Sequence, residues 1–155
     1  MPVSVSDEHP SSGFHEDQIR GWAEAVLSAE GFPPETELSV TLVDDERMAA
    51  FNAGAMHRDG PTDVLSFPLE SLRAGTPPVT DPCGPPFLIG DVVIAPDYVR
   101  RQADSLGVDI ADEMALMVTH GVLHLLGYDH EEDMEAELME GRERQILASQ
   151  GRVRR

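Results

Sequence analysis

The sequence contains no lysine: its eleven basic residues are all arginines, set against twenty-nine acids and a net charge of −18. So acidic a surface repels nucleic acid at long range, which excludes general binding by global attraction and leaves an RNA-directed function to rest on a local cluster of cations. Cysteine is nearly absent. The single one, Cys83, cannot form an internal disulfide and lies in a proline-rich loop, in agreement with a reducing compartment. No apolar run approaches the roughly 20 residues that span a bilayer. The opening MPVSVSDEHP lacks the basic-then-apolar layout of a signal peptide. The expectation is a soluble, cytoplasmic protein without a membrane partner. A chain of 155 residues is the size of one ordinary domain and long enough to bury a core without disulfides.

What the sequence does have is periodicity. HEDQIRGWAEAVLSAEGF repeats Ile19, Trp22, Ala23, Val26 and Leu27 at helical spacing before Gly31 and Pro33 stop it. ELSVTLVDD alternates Leu38, Val40 and Leu42 inward, as a half-buried strand does. The acids of DDERMAAFNAGA open a second helix near Asp45, where the helix dipole favours them. PTDVLSFPLE and FLIGDVVIAP read as strands ending at Pro68 and Pro96, and residues 71–86 between them form a Pro- and Gly-rich surface loop. DYVRRQADSLG predicts a third helix ending at Gly107, and Asp109 caps a fourth through IADEMALMVTHGVLHLL. The last helix, EEDMEAELMEGRERQILASQG, is expected to turn Met134, Leu138, Ile146 and Leu147 inward. Residues 1–13 and the basic end GRVRR, 151–155, read as flexible. The sum is an α+β single domain over 1–155, with a small mixed β-sheet of about four strands packed against several helices.

The chemistry is concentrated in HGVLHLLGYDH, residues 120–130. Side chains four apart on a helix differ by about 40° around its axis, so His120 and His124 project from one face. A continuing helix would carry His130 roughly 120° away and about 9 Å further on. The chain must therefore turn, and Gly127 stands where a left-handed residue could end the helix. Helix, turn and returning histidine bring three neutral imidazoles round one point, the donor set of a zinc site with its fourth position left to water. A lone histidine, or a pair at this spacing, is ordinarily no ligand; three with this glycine are much harder to dismiss.

The spacing matches the zinc peptidase pattern H-E-x-x-H-x-x-G-x-x-H, but Gly121 replaces the glutamate that acts as general base. Asp129 and Glu131 lie beyond the turn, and nothing aims them at the water. A metallopeptidase is therefore the second reading. A third is a non-catalytic, zinc-stabilised ribosome assembly factor. Closed structural sites take four protein ligands, and only the distant Cys83 offers itself as the fourth.

THGVLHLLGYDH resembles the signature of the YbeY family, bacterial endoribonucleases and ribosomal RNA maturation factors. GPTDVLSFP (60–68) and IGDVVIAP (89–96) resemble two further family strands in the same order, and the likeness spans roughly residues 38–150. The resemblance implies one Zn(2+) per chain on His120, His124 and His130, and cleavage of single-stranded RNA in 16S rRNA maturation and ribosome quality control. It implies the ribosome or its small subunit as partner, with a ribosomal protein or GTPase delivering substrate. Similar family members carry an arginine four residues after the asparagine that precedes the Pro-Thr strand. Counted from Asn52 that position is Met56, and Arg58 stands two residues later.

Arg58 is accordingly either a replacement phosphate ligand or a solvated loop residue, and His57 beside it reads as an exposed loop histidine. In the metal reading, zinc polarises a phosphoryl oxygen or lowers the pKa of a zinc-bound water towards about 7, and Arg58 balances charge on the phosphorane. Water and the ribose 2′-hydroxyl both remain open as the attacking group. Ligand histidines usually donate their second nitrogen to a carboxylate, for which Asp91 and Asp129 are the candidates; Asp63 can equally cap a turn. Thr119 and Ser66 lack the setting of a nucleophile.

Overall fold

Two aspartates set where helices begin. Asp44 accepts the backbone N–H of Arg47 at 2.8 Å and Asp109 that of Asp112 at 3.1 Å, each satisfying a donor that a helix start leaves free. In the computed structural model, which describes residues 3–9, 12–77, 84 and 87–155, the elements are β1 (Val3–Asp7), α1 (Glu16–Ala29), β2 (Glu37–Leu42), α2 (Asp45–Met56), β3 (Val64–Pro68), β4 (Leu88–Ile94), α3 (Pro96–Leu106), α4 (Ile110–Leu125) and α5 (Asp133–Ser149). The sheet has the order β1-β2-β4-β3. β2 pairs in parallel with β1 and β4, and β3 runs antiparallel on β4, so the sheet is mixed. This is the expected α+β architecture.

Strand alternation divides the core. Val92 and Ile94 face a large cluster shared by α1, α4 and α5, whereas Val93 joins Leu65, Met48 and Val43 in a smaller one on the opposite face. α4 lies at the centre of the large cluster, in contact with α1, α3, α5, β3 and β4. From Glu113 to Leu125 every residue is buried except His120 and His124. A helix apolar all round belongs inside a domain, so two half-exposed histidines within this buried stretch mark a place where it meets solvent.

Three expectations differ from the structure. The leader contains β1, in register with β2 from Val3↔Leu38 to Asp7↔Leu42. In α5, Met134 and Leu138 are 83% and 56% exposed, and the buried stripe is Met139, Glu143, Ile146 and Leu147. At about 100° per residue, Leu138 stands a quarter-turn off that stripe; a reading of apolar letters alone passes over Glu143. The end expected to be frayed lies against α4 and α5, with Arg152 on Asp112, Arg154 on Glu143 and Arg155 on Glu113. Of the expected loop, residues 71–77 hold a bridge between Arg73 and Thr76, and Cys83 lies outside the described residues.

Candidate metal centre

α4 ends in a closed turn. The N–H of Gly127 donates to the carbonyl of His124 and that of Tyr128 to the carbonyl of Leu123, both at 3.1 Å, the paired bonds of a Schellman motif. Gly127 has φ +99°, and a Cβ there would meet the Leu72 carbonyl oxygen at 2.3 Å, so the position suits glycine on conformation and on space. Tyr128, buried beyond the turn, donates its hydroxyl to Glu30, which also accepts from Arg142 Nε at 2.8 Å. Burial first, and then the Glu30 charge, raise the Tyr128 pKa, so the phenol stays a donor. These contacts fix the direction in which the chain returns to His130.

The outcome is convergence. Ring centroids lie 4.6 Å apart for His120 and His124, 5.4 Å for His120 and His130, and 4.9 Å for His124 and His130. One nitrogen of each ring lies within 4.8 Å of the others. Three imidazoles this close could hold a metal ion, and the donor type suits a borderline metal such as zinc. Among the described residues the cluster has three ligands and no fourth. Burial, followed by the charges of His120 and His130, pushes His124 down from 6.5 to about 4, which leaves its lone pair free at neutral pH.

The carboxylate that meets a triad ring is Glu143, whose Oε2 lies 2.9 Å from His120 Nδ1. Burial pushes Glu143 up, but the hydrogen bond and charge of His120, joined by those of Arg154, outweigh it and hold the carboxyl below its usual range. Asp91 does not take this role: it accepts from Ser39 across β2 and β4. Asp129 accepts the His130 backbone N–H at 2.7 Å, supporting the turn and not a ring. Asp63 accepts the backbone N–H of Val64 at 2.8 Å. A sequence signal for Glu143 did exist, as a lone acid on an otherwise apolar stripe of α5.

The triad opens on a cavity of about 850 Å³ whose walls include Met56, Arg58, Asp129, Glu143, Arg154 and Arg155. Arg58 is exposed, on a loop held by the buried Asn52, whose side-chain amide donates to the Gly60 carbonyl at 3.0 Å. His57, the left-handed cap of α2 with φ 54°, is not part of the wall. Position 121, where the zinc peptidases carry glutamate, is packed on the sheet: a Cβ there would meet Val92 Cγ1 at 2.7 Å and Val64 Cγ2 at 3.1 Å. Ser66 donates its hydroxyl to the Gly121 carbonyl at 2.8 Å and Thr119 to that of Ala115 at 2.7 Å, so both hydroxyls serve the helix.

The family model for endoribonuclease YbeY matches residues 4–151. This chain belongs to the YbeY endoribonuclease family. Its YbeY relatives include the endoribonuclease YbeY of Thermobifida fusca, 44% identical over 150 residues that cover 96% of this chain and 93% of that one. That of Renibacterium salmoninarum is 47% identical over 116 residues, 75% of this chain and 72% of the other. The Rhodococcus jostii protein is 41% identical over 147 residues, 95% and 81% of the two chains. A solution structure of a Thermotoga maritima protein superposes with a TM-score of 0.58 at 24% identity, covering 96% of this YbeY chain and 91% of its own, a likeness of fold. No helix among the described residues is long and apolar enough to cross a membrane.

Proposed function

We propose that this YbeY protein is a zinc-dependent, single-strand-specific endoribonuclease, acting in the cytoplasm in 16S rRNA maturation and ribosome quality control. The whole chain, 1–155, would form one catalytic domain, and the small ribosomal subunit, reached through a ribosomal protein or GTPase, would present the substrate. The observation that carries this reading is the convergence of His120, His124 and His130 on one point, in a cavity walled by Arg58, in a chain of an endoribonuclease family. Zinc held there supplies Lewis acidity beside a scissile phosphodiester.

The chain's own residues do the rest. His120 and His124 hold their rings on a buried helix, and Glu143 fixes the tautomer of His120 by engaging Nδ1. Arg58 offers a guanidinium to the phosphate, where its fork can meet two oxygens and stabilise charge that grows during cleavage. In a chain of net charge −18, that local cation binds RNA weakly and in a salt-sensitive way, which gives a delivering partner its use. The packing of Gly121 on the sheet supports a nuclease over a peptidase, since the chain has no glutamate there and an added Cβ would crowd Val92 and Val64.

The test is cleavage of an end-labelled, unstructured RNA by zinc-loaded protein, beside His124→Ala and a chelated control. Cutting that is lost in both controls is the expected result; cutting that persists in His124→Ala refutes a metal nuclease. A 2′,3′-cyclic phosphate on the product would identify the ribose hydroxyl as the attacking group.

A further inference from the structure

Glu143 is 1% exposed on a helix whose other acids are mostly solvated. A buried carboxylate needs a partner for each oxygen, and here the two partners differ in kind. Oε2 faces His120 Nδ1 at 2.9 Å. Oε1 accepts from Arg154 Nε at 3.0 Å. Arg154 is itself held: its Nη1 donates to the Arg155 carbonyl at 2.7 Å, Nη2 lies 3.8 Å from Glu140, and the side chain is 18% exposed. Although Arg154 is part of the cavity wall, its Nε and Nη1 are engaged by protein oxygens.

We propose that Arg154 is a positioning residue of the metal centre: by pinning one oxygen of Glu143 it aims the other at His120 Nδ1, and so turns His120 Nε2 towards the other two imidazoles. The inference rests on the reading of the triad as a zinc site. Without Arg154, one oxygen of a buried carboxylate lacks its partner, and Glu143 can satisfy itself only by swinging toward solvent or by rotating the His120 ring. Either movement loosens a ligand that α4 otherwise holds in place. Carboxylate–histidine partners of this sort tune metal affinity by about 10–100-fold; Arg154 extends the chain by one link, from a segment the sequence pattern suggested was frayed.

The adjacent residue supplies a matched control. Arg155 Nε donates to both oxygens of Glu113 at 2.8 and 3.0 Å, and Glu113 is also 1% exposed. That pair is the same chemistry on the same segment, but Glu113 bonds to Gln102 at 2.6 Å and to no triad ring. Arg154→Ala, Arg154→Lys and Arg155→Ala are compared with the wild-type chain for zinc dissociation constant, by competition with a chromogenic chelator, and for thermal midpoint without metal.

Arg154→Ala is expected to weaken zinc binding by about 10-fold or more and Arg154→Lys by less, while Arg155→Ala lowers the thermal midpoint and leaves zinc affinity within about twofold. Arg154→Lys, the milder change, decides the matter if the alanine variant does not fold: zinc affinity equal to wild type would then overturn the proposal. It is likewise overturned by wild-type affinity in a folded Arg154→Ala, or by an equal loss in Arg155→Ala, which would make the effect one of general stability. A wild-type chain that takes up no zinc overturns the metal reading itself, and this inference with it.

Discussion

Replacing Gly121 by alanine measures how closely α4 lies on the sheet. The added Cβ would stand 2.7 Å from Val92 Cγ1 and 3.1 Å from Val64 Cγ2, where carbons prefer about 3.5–4.0 Å. Neither valine yields easily, because β-branched side chains are stiff at χ1, and Val92 is fully buried. Alanine gains about 0.8–1 kcal/mol of helix propensity over glycine, while overpacking costs about 1–3 kcal/mol. Two contacts are violated together, so the upper part of that range applies and the net loss is about 1–2 kcal/mol. For a domain of this size that lowers Tm by roughly 2–8 °C. Thermal unfolding of the metal-free protein followed by circular dichroism reads it directly. A Tm at or above wild type would refute the close packing, since propensity alone would then be acting. The glutamate that completes the peptidase pattern starts towards β3 and β4, so Gly121→Glu should fold poorly and acquire no peptidase activity.

Gly127→Ala meets both a left-handed φ and the Leu72 backbone; it should destabilise the protein by about 1–3 kcal/mol or more and weaken zinc binding by displacing His130, as chelator competition would show. Arg58→Ala should lower RNA cleavage by about 10-fold or more with zinc affinity unchanged; an unaltered rate would make Arg58 a solvated loop residue. Because the fold holds His124 down from 6.5 to about 4, the metal-free folded state binds fewer protons than the unfolded chain in that window. Its contribution to stability is complete above 6.5 and is lost as pH falls towards 4, so thermal midpoints should decline over that range, less steeply in His124→Gln; equal slopes would refute the assignment. Arg47 and Glu8 pair at 2.8 Å in the open, with side chains 47% and 38% exposed, so Arg47→Ala should leave the urea midpoint close to wild type, because water and salt screen a pair this open; a large shift would refute this.

Local patterns carried most of the fold. All five apolar residues picked out for the first helix are buried in α1, Gly107 caps α3 in the left-handed conformation, and the glycine turn that returns His130 is present because its cause is steric and local. What escaped depends on distant partners. Val3 and Val5 are too short a run to announce a strand, and become one because β2 lies alongside in register. Glu143 is buried because His120 and Arg154 meet its two oxygens, and no window of α5 contains either. The same holds for Arg152, which stacks over Trp22 at 5.1 Å while bonding Asp112: a basic end reads as solvated until its acids are located.

The order of the sheet also bears on when the triad can exist. At the centre of the sheet Leu38 pairs with Gly90, a contact between distant parts of the chain that must overcome the entropy of closing the intervening loop. During synthesis β1, α1 and β2 emerge first and wait, with one edge of β2 open, until β4 arrives. The platform for α4 exists only after that, and Glu143 and Arg154 follow later still. Small zinc domains let an ion nucleate folding; here the three imidazoles can meet only once the sheet on which α4 rests has been assembled.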